Sequence, residues 1–200
     1  MAARRPRPAA SRSHTTQPNQ AANRRSVEVA APQESTSNPR AGTPVSVLFV
    51  CTGNICRSPS AEAILRHKAH HAGLADRLKI DSAGLGEWHL GHPPDPRAVD
   101  AVAAHGYSMG GQTARLVDPR DFERFDYVIA MDEGHHAQLN EICPRARKDR
   151  VRLFLEFAPQ TGRKSVPDPY YGDTSGFDAM VGLIEAGTDG ILAEIAERAG

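Results

Sequence analysis

Cys51, Arg57 and Ser58 stand in the pattern Cys-x5-Arg-Ser, where an apolar run ends and a helical pattern begins. A thiolate is a strong nucleophile, and helix N-termini and nearby cations favour its formation. The Arg57 guanidinium offers a planar fork matched to phosphate oxygens. Between them, Thr52, Gly53, Asn54, Ile55 and Cys56 would turn a tight loop whose backbone N–H groups face a bound oxyanion. Gly53 eases that turn. The chemistry these residues suit is attack of sulfur on phosphorus. A departing phenolate or alkoxide then needs a proton, and Asp168, between Pro167 and Pro169, is the candidate donor. Tyr170 and Tyr171 follow at once and could wall an aromatic substrate. Each residue also has a plainer reading: Cys51 as a small buried hydrophobe, Asp168 as an exposed residue of a proline-rich turn, Trp88 as core.

Elements must position these groups. Residues 46–50 read as a buried strand, and 59–71 as a helix with Ser58 as cap and Pro59 at its first position. A strand running through a loop into a helix N-terminus binds anions, because loop amides and the helix dipole converge there. Further strands are expected at 78–82, 126–131 and 151–155. Helices are expected at 96–105, closed by Gly106, and at 133–142, with a turn of helix at 119–125. Residues 177–198 carry a last helical pattern, which Gly182, Gly187 and Gly190 would weaken or break. Alternating strands and helices predict an α/β fold in three layers. It is a four-stranded parallel sheet flanked by helices, doubly wound and flavodoxin-like, with the phosphate loop after strand 1. Ligands of such sheets bind beyond the carboxyl ends of the strands. Cys51 ends the first strand, Asp132 the third, and Asp168 follows the fourth.

The 200 residues carry no net charge, but the balance is uneven. Residues 1–44 hold seven Arg and two acids and almost no large apolar residue. They are expected to be a disordered tail, with an organelle transit peptide or a tether to an anionic partner as other readings. Residues 45–200 are mildly acidic, which argues against a nucleic-acid surface. No apolar run approaches the roughly 20 residues of a membrane span. Three cysteines, Cys51, Cys56 and Cys143, suggest neither a disulfide framework nor a zinc site, and fit a cytoplasmic setting. His70-His71 and His135-His136 are expected to be exposed; neither a metal nor a cofactor is expected.

VCTGNICRSPSAEAIL together with DPYYGD closely resembles the low-molecular-weight protein tyrosine phosphatases. DSAG at 81–84, GEWHLGHPPDPRA and FDYVIAMD are similar as well, so the likeness covers roughly residues 46–198. The resemblance implies hydrolysis of phosphotyrosine or aryl phosphates through a phosphocysteine on Cys51. Arg57 would bind the phosphoryl oxygens, and Asp168 would act as acid and then as base. Ser58 would hydrogen-bond Cys51. Asn54 would brace the loop with Ser82 as partner, Asp132 would support the site, and Trp88, Tyr170 and Tyr171 would line its entrance. Cys56 could form a protective disulfide with Cys51. Gln112 stands where the family often has a histidine, and is the candidate replacement for its contact to Asn54. Phosphotyrosine proteins are the implied substrates and a cognate tyrosine kinase an implied partner, with the enzyme a monomer. Two alternatives differ in class. A thiol-dependent arsenate reductase would need two further redox cysteines, where only Cys143 stands beyond the loop. An inactive phosphate-binding module would be expected to have lost Cys51, Arg57 or Asp168.

Overall fold

The computed structural model describes residues 43–199. The expected tail, apart from Thr43 and Pro44, lies outside the described residues. Strand β1 (Val45–Cys51) is buried along its whole length. It pairs in parallel with β2 (Leu78–Gly84) on one side and β3 (Tyr127–Ala130) on the other; β4 (Val151–Leu153) pairs with β3. The strand order is β2-β1-β3-β4. The chain thus reverses its direction of winding between β1 and β3, which is where a doubly wound sheet opens a crevice.

Alternate residues of β1 enter two different cores. Val47 and Phe49 pack with Ile64 and Leu65 of α1 (Arg57–His71), Val102 of α2 (Pro96–Ala104) and Ile184 of the last helix. Leu48 and Val50 pack with Phe122 of α3 (Asp121–Arg124) and Leu139 of α4 (Glu133–Ile142). A strand covered on both faces must be apolar throughout, which explains the unbroken run in the sequence. Each large apolar side chain fully buried there contributes about 1.5–3 kcal/mol.

Three expectations about elements are revised. Helix α1 begins at Arg57, and its N-cap, Cys56, makes no side-chain capping bond; the Ser58 hydroxyl is turned to the phosphate loop instead. The fourth strand stops at Leu153, and Phe154–Phe157 form a 3-10 turn. The last helix, α5 (Thr174–Ala199), is continuous over 26 residues. Two of its glycines are contact points. A Cβ on Gly187 would sit 2.2 Å from the Phe154 ring, and one on Gly190 would sit 1.8 Å from the Phe157 carbonyl oxygen. Close packing against the turn after β4 offsets the weak helix propensity that glycine brings.

Candidate active site

The loop from Thr52 to Cys56 leaves the carboxyl end of β1 at the switch point. Its carbonyls are tied outward: Leu85 N–H donates to Cys51 O (3.0 Å), Gly86 N–H to Thr52 O (2.8 Å) and Asp95 N–H to Ile55 O (2.8 Å). Among the described residues, the N–H groups of Thr52 through Cys56 donate to no protein acceptor. Carbonyls held outward turn amides inward, so the loop is arranged for an anion. Glycine is required beside it: a Cβ on Gly84 would meet Thr52 O at 2.9 Å.

Asn54 holds the turn. It adopts φ 54°, the one positive φ among the described non-glycine residues. Its Nδ2 donates to Ser58 Oγ (3.0 Å) and Ser82 Oγ (2.8 Å), and its Oδ1 accepts from Arg115 N–H (2.9 Å). Ser82 Oγ in turn donates to Glu62 Oε2 (2.7 Å), which is buried in α1 and held by Arg66. The chain of bonds therefore has a fixed direction. Ser58 Oγ, accepting from Asn54, keeps its own proton for Cys51 Sγ at 3.0 Å or Ala83 O at 3.2 Å. Gln112 does not reach Asn54; its Nε2 donates to Pro59 O and Glu62 Oε2, both at 2.9 Å. Its link to the loop runs through Glu62 and Ser82, and the direct contact expected from the sequence is corrected accordingly.

Arg57 is 3% exposed and forks toward two carboxylates. Its Nη1 bonds Asp132 Oδ2 at 2.8 Å and its Nη2 bonds Asp168 Oδ2 at 2.6 Å. Burial opposes ionisation of Asp132, yet His135 and Arg57 hold its carboxyl well below the usual carboxylate range. Burial pushes the Cys56 thiol far up, and the charges of Asp95 and Asp168 add to this, so Cys56 stays a neutral thiol. All three cysteines are free and buried. Cys143 packs beside Leu139 and Val151 in the core on the α4 side.

A cavity of about 320 Å³ opens above Cys51 and Arg57, with Ile55, Trp88, Asp168, Tyr170 and Tyr171 on its walls. Trp88 and Tyr171 are largely exposed, and Tyr170 meets Tyr171 edge to face at 5.0 Å. A larger cavity of about 710 Å³ lies on the far side of the loop, lined by Asn54, Ser82 and Glu62 but by neither Cys51 nor Arg57. The chemistry belongs to the smaller one.

Several residues of the site were not singled out from the sequence. His135, expected to be exposed, is 4% exposed and contacts Asp132 and Thr52. The Asp-x-x-His spacing at the start of α4, an N-cap pattern, was the available clue. His89 lines the cavity. Arg97 donates to Tyr170 O (3.0 Å) and lies over the Tyr170 and Phe177 rings, so it fixes the aromatic wall.

Reaction of a cysteine thiol with a bound phosphate ester is the class of chemistry this arrangement suits. Comparison with known proteins agrees. Residues 46–199 match the family model described as low molecular weight phosphotyrosine protein phosphatase. A low molecular weight protein-tyrosine-phosphatase of Streptomyces coelicolor is 43% identical over 155 residues, covering 76% of this chain and 94% of the relative. The crystal structure of YfkJ from Bacillus subtilis superposes with TM-score 0.75 at 40% identity, covering 80% of this chain and 99% of that one. The crystal structure of DARP, a Drosophila arginine phosphatase, superposes with TM-score 0.69 at 32% identity, covering 74% of this chain and 96% of that one. The chain belongs to the low molecular weight phosphotyrosine protein phosphatase family. No helix among the described residues is long and apolar enough to cross a membrane.

Proposed function

We propose that this protein-tyrosine-phosphatase works by the following steps. The Cys51 sulfur attacks phosphorus as the ester P–O bond breaks; the proton shed by the thiol, held on Asp168 once bound phosphate has displaced that carboxylate from Arg57, passes to the leaving oxygen. Arg57 and the loop amides carry the charge on the equatorial oxygens, so the reaction needs no metal or cofactor. In the second step the Asp168 carboxylate takes a proton from water. The water oxygen attacks phosphorus, the S–P bond breaks, and its electron pair returns to sulfur, to which the Ser58 hydroxyl can donate. The observation that carries this reading is the 2.6 Å contact between Arg57 and Asp168, residues 111 positions apart that meet at the mouth of the Cys51 loop. Bound phosphate would displace the carboxylate from Arg57, and a side chain 43% exposed is free to swing toward the leaving group.

Trp88, Tyr170 and Tyr171 form an aromatic entrance suited to a phenyl phosphate, which supports phosphotyrosine over phosphoserine. We assign the catalytic domain to residues 45–200, a reading supported by β1 beginning at Val45. The protein acts as a cytoplasmic monomer against the products of a tyrosine kinase. The test is hydrolysis of p-nitrophenyl phosphate in EDTA. Cys51→Ser abolishes it, and Asp168→Ala slows the poorest leaving groups most. Turnover persisting in Cys51→Ser would refute the nucleophile. Phosphotyrosine, phosphoserine and phosphoarginine peptides assayed together with arsenate decide the substrate class.

A further inference from the structure

We propose that His135 is a positioning residue whose charge decides whether the Thr52 hydroxyl donates to a phosphate held in the loop. This rests on the loop being the phosphate site. His135 lies in the first turn of α4 with its ring buried. Its backbone N–H donates to Asp132 Oδ1 at 2.7 Å, and its Nδ1 lies 3.0 Å from the same oxygen. Its Nε2 lies 2.8 Å from Thr52 Oγ1. Thr52 is exposed, lines the cavity above Cys51, and sits 3.4 Å from Arg57 Nη2.

Proton bookkeeping turns this geometry into a switch. Nδ1 lies 3.0 Å from a carboxylate oxygen; the angle makes no hydrogen bond, but the negative charge favours the neutral ring's one proton there, and Nε2 then presents a lone pair. Thr52 must then donate to Nε2, and its oxygen can only accept on the cavity side. A charged ring carries a proton on Nε2 as well. Thr52 Oγ1 then accepts from the ring, and its proton is freed for a phosphate oxygen. The charged group against the ring is Asp132, the N-cap of α4; Arg57 at the start of α1 is paired to that Asp132, with Asp168 beyond Arg57. The neighbours of His135 on α4 are engaged elsewhere: His136 with Asn140, and Glu133 with Lys164.

The experiment measures binding of inorganic phosphate by calorimetry between pH 5 and 8. The readout is the ratio of Kd in Thr52→Val to Kd in the wild-type protein. A hydroxyl that donates only when His135 is charged gives a ratio near one at pH 8. The ratio rises to about tenfold at pH 5, the size of a hydrogen bond to a charged group. Thr52→Ser, which keeps the hydroxyl, holds the ratio near one throughout. In a His135→Asn background the ratio for Thr52→Val no longer varies with pH. A ratio in the His135 protein that is flat across the range overturns the proposal, because a merely structural histidine would give that result. Nitrogen-15 shifts of His135 in the wild-type protein supply a check free of folding defects: an Nε2 that stays unprotonated from pH 8 to pH 5 also overturns it. Phosphate binding requires no turnover, so failure of the Cys51 mechanism would leave this test intact.

Discussion

Replacing Asn54 tests whether the phosphate loop is held by its brace. Asn54→Ala removes three hydrogen bonds, to Ser58, Ser82 and Arg115 N–H. At about 1 kcal/mol each, that is about 3 kcal/mol. It also places alanine at φ 54°. A residue with a Cβ and no polar side chain is disfavoured there by a further ~1 kcal/mol. Asn54→Gly loses the same bonds without that backbone penalty, and Ser82→Ala loses two, to Asn54 and Glu62, about 2 kcal/mol. Denaturant midpoints should therefore fall in the order Ser82→Ala, Asn54→Gly, Asn54→Ala. If the loop alone absorbs the damage, kcat/KM for p-nitrophenyl phosphate drops on the order of a hundredfold in Asn54→Gly. Asn54→Ala should lose about another fivefold. Equal behaviour of the glycine and alanine variants would refute the backbone part of the reasoning. An Asn54→Ala protein with wild-type stability and rate would refute all of it.

Two further outcomes concern stability. Gly190→Ala pushes a Cβ into the fixed Phe157 carbonyl and should cost about 3 kcal/mol, whereas Gly182→Ala, with nothing within 4 Å, should gain about 0.5–1 kcal/mol; urea unfolding of both reads the contrast, and equal effects would remove the packing explanation for α5. His105, which ends α2, has its pKa raised by its bond to Asp178 and by Glu185, against the effect of burial. A raised folded-state pKa stabilises fully below the unfolded value, about 6.5, and the benefit is lost as pH rises through the folded value. The stability gap between wild type and His105→Asn should accordingly shrink from pH 6 to pH 9; a constant gap contradicts it.

The phosphate loop was legible because its parts are consecutive: a β-branched run, Cys51, a turn and Arg57 announce strand, loop and helix within one short segment. Asp168 was legible for a different reason, since a proline on each side marks a carboxylate held in a particular loop. The brace was only half visible. Asn54 and Ser82 could be paired through a family likeness, but Glu62 and Arg66 look like ordinary polar residues of a helix until the structure turns Glu62 inward. His135 was hidden because helical periodicity does not say which histidine of an adjacent pair faces the core. Ser58 was misread as a cap because a serine before a proline fits that role locally, and only the Cys51 and Asn54 contacts reveal its other use. The glycines of α5 were misjudged because propensity describes an isolated helix, while Gly187 and Gly190 meet Phe154 and Phe157.

The strand order explains why these hidden partners fall where they do. Because β1 lies between β2 and β3, the loop that leaves it has a neighbouring strand on each side. From β2 comes Ser82, which passes the grip of Glu62 to Asn54 and so to Ser58 and Cys51. Beyond β3 comes Asp132, which holds Arg57 and, through His135, touches Thr52. One side fixes the sulfur and the turn; the other fixes the guanidinium and the first hydroxyl of the loop. A loop at the edge of the sheet would have had only one such partner. Placing it at the switch point lets two separate polar networks act on one short segment. Damage to either should therefore alter a different half of the phosphate site.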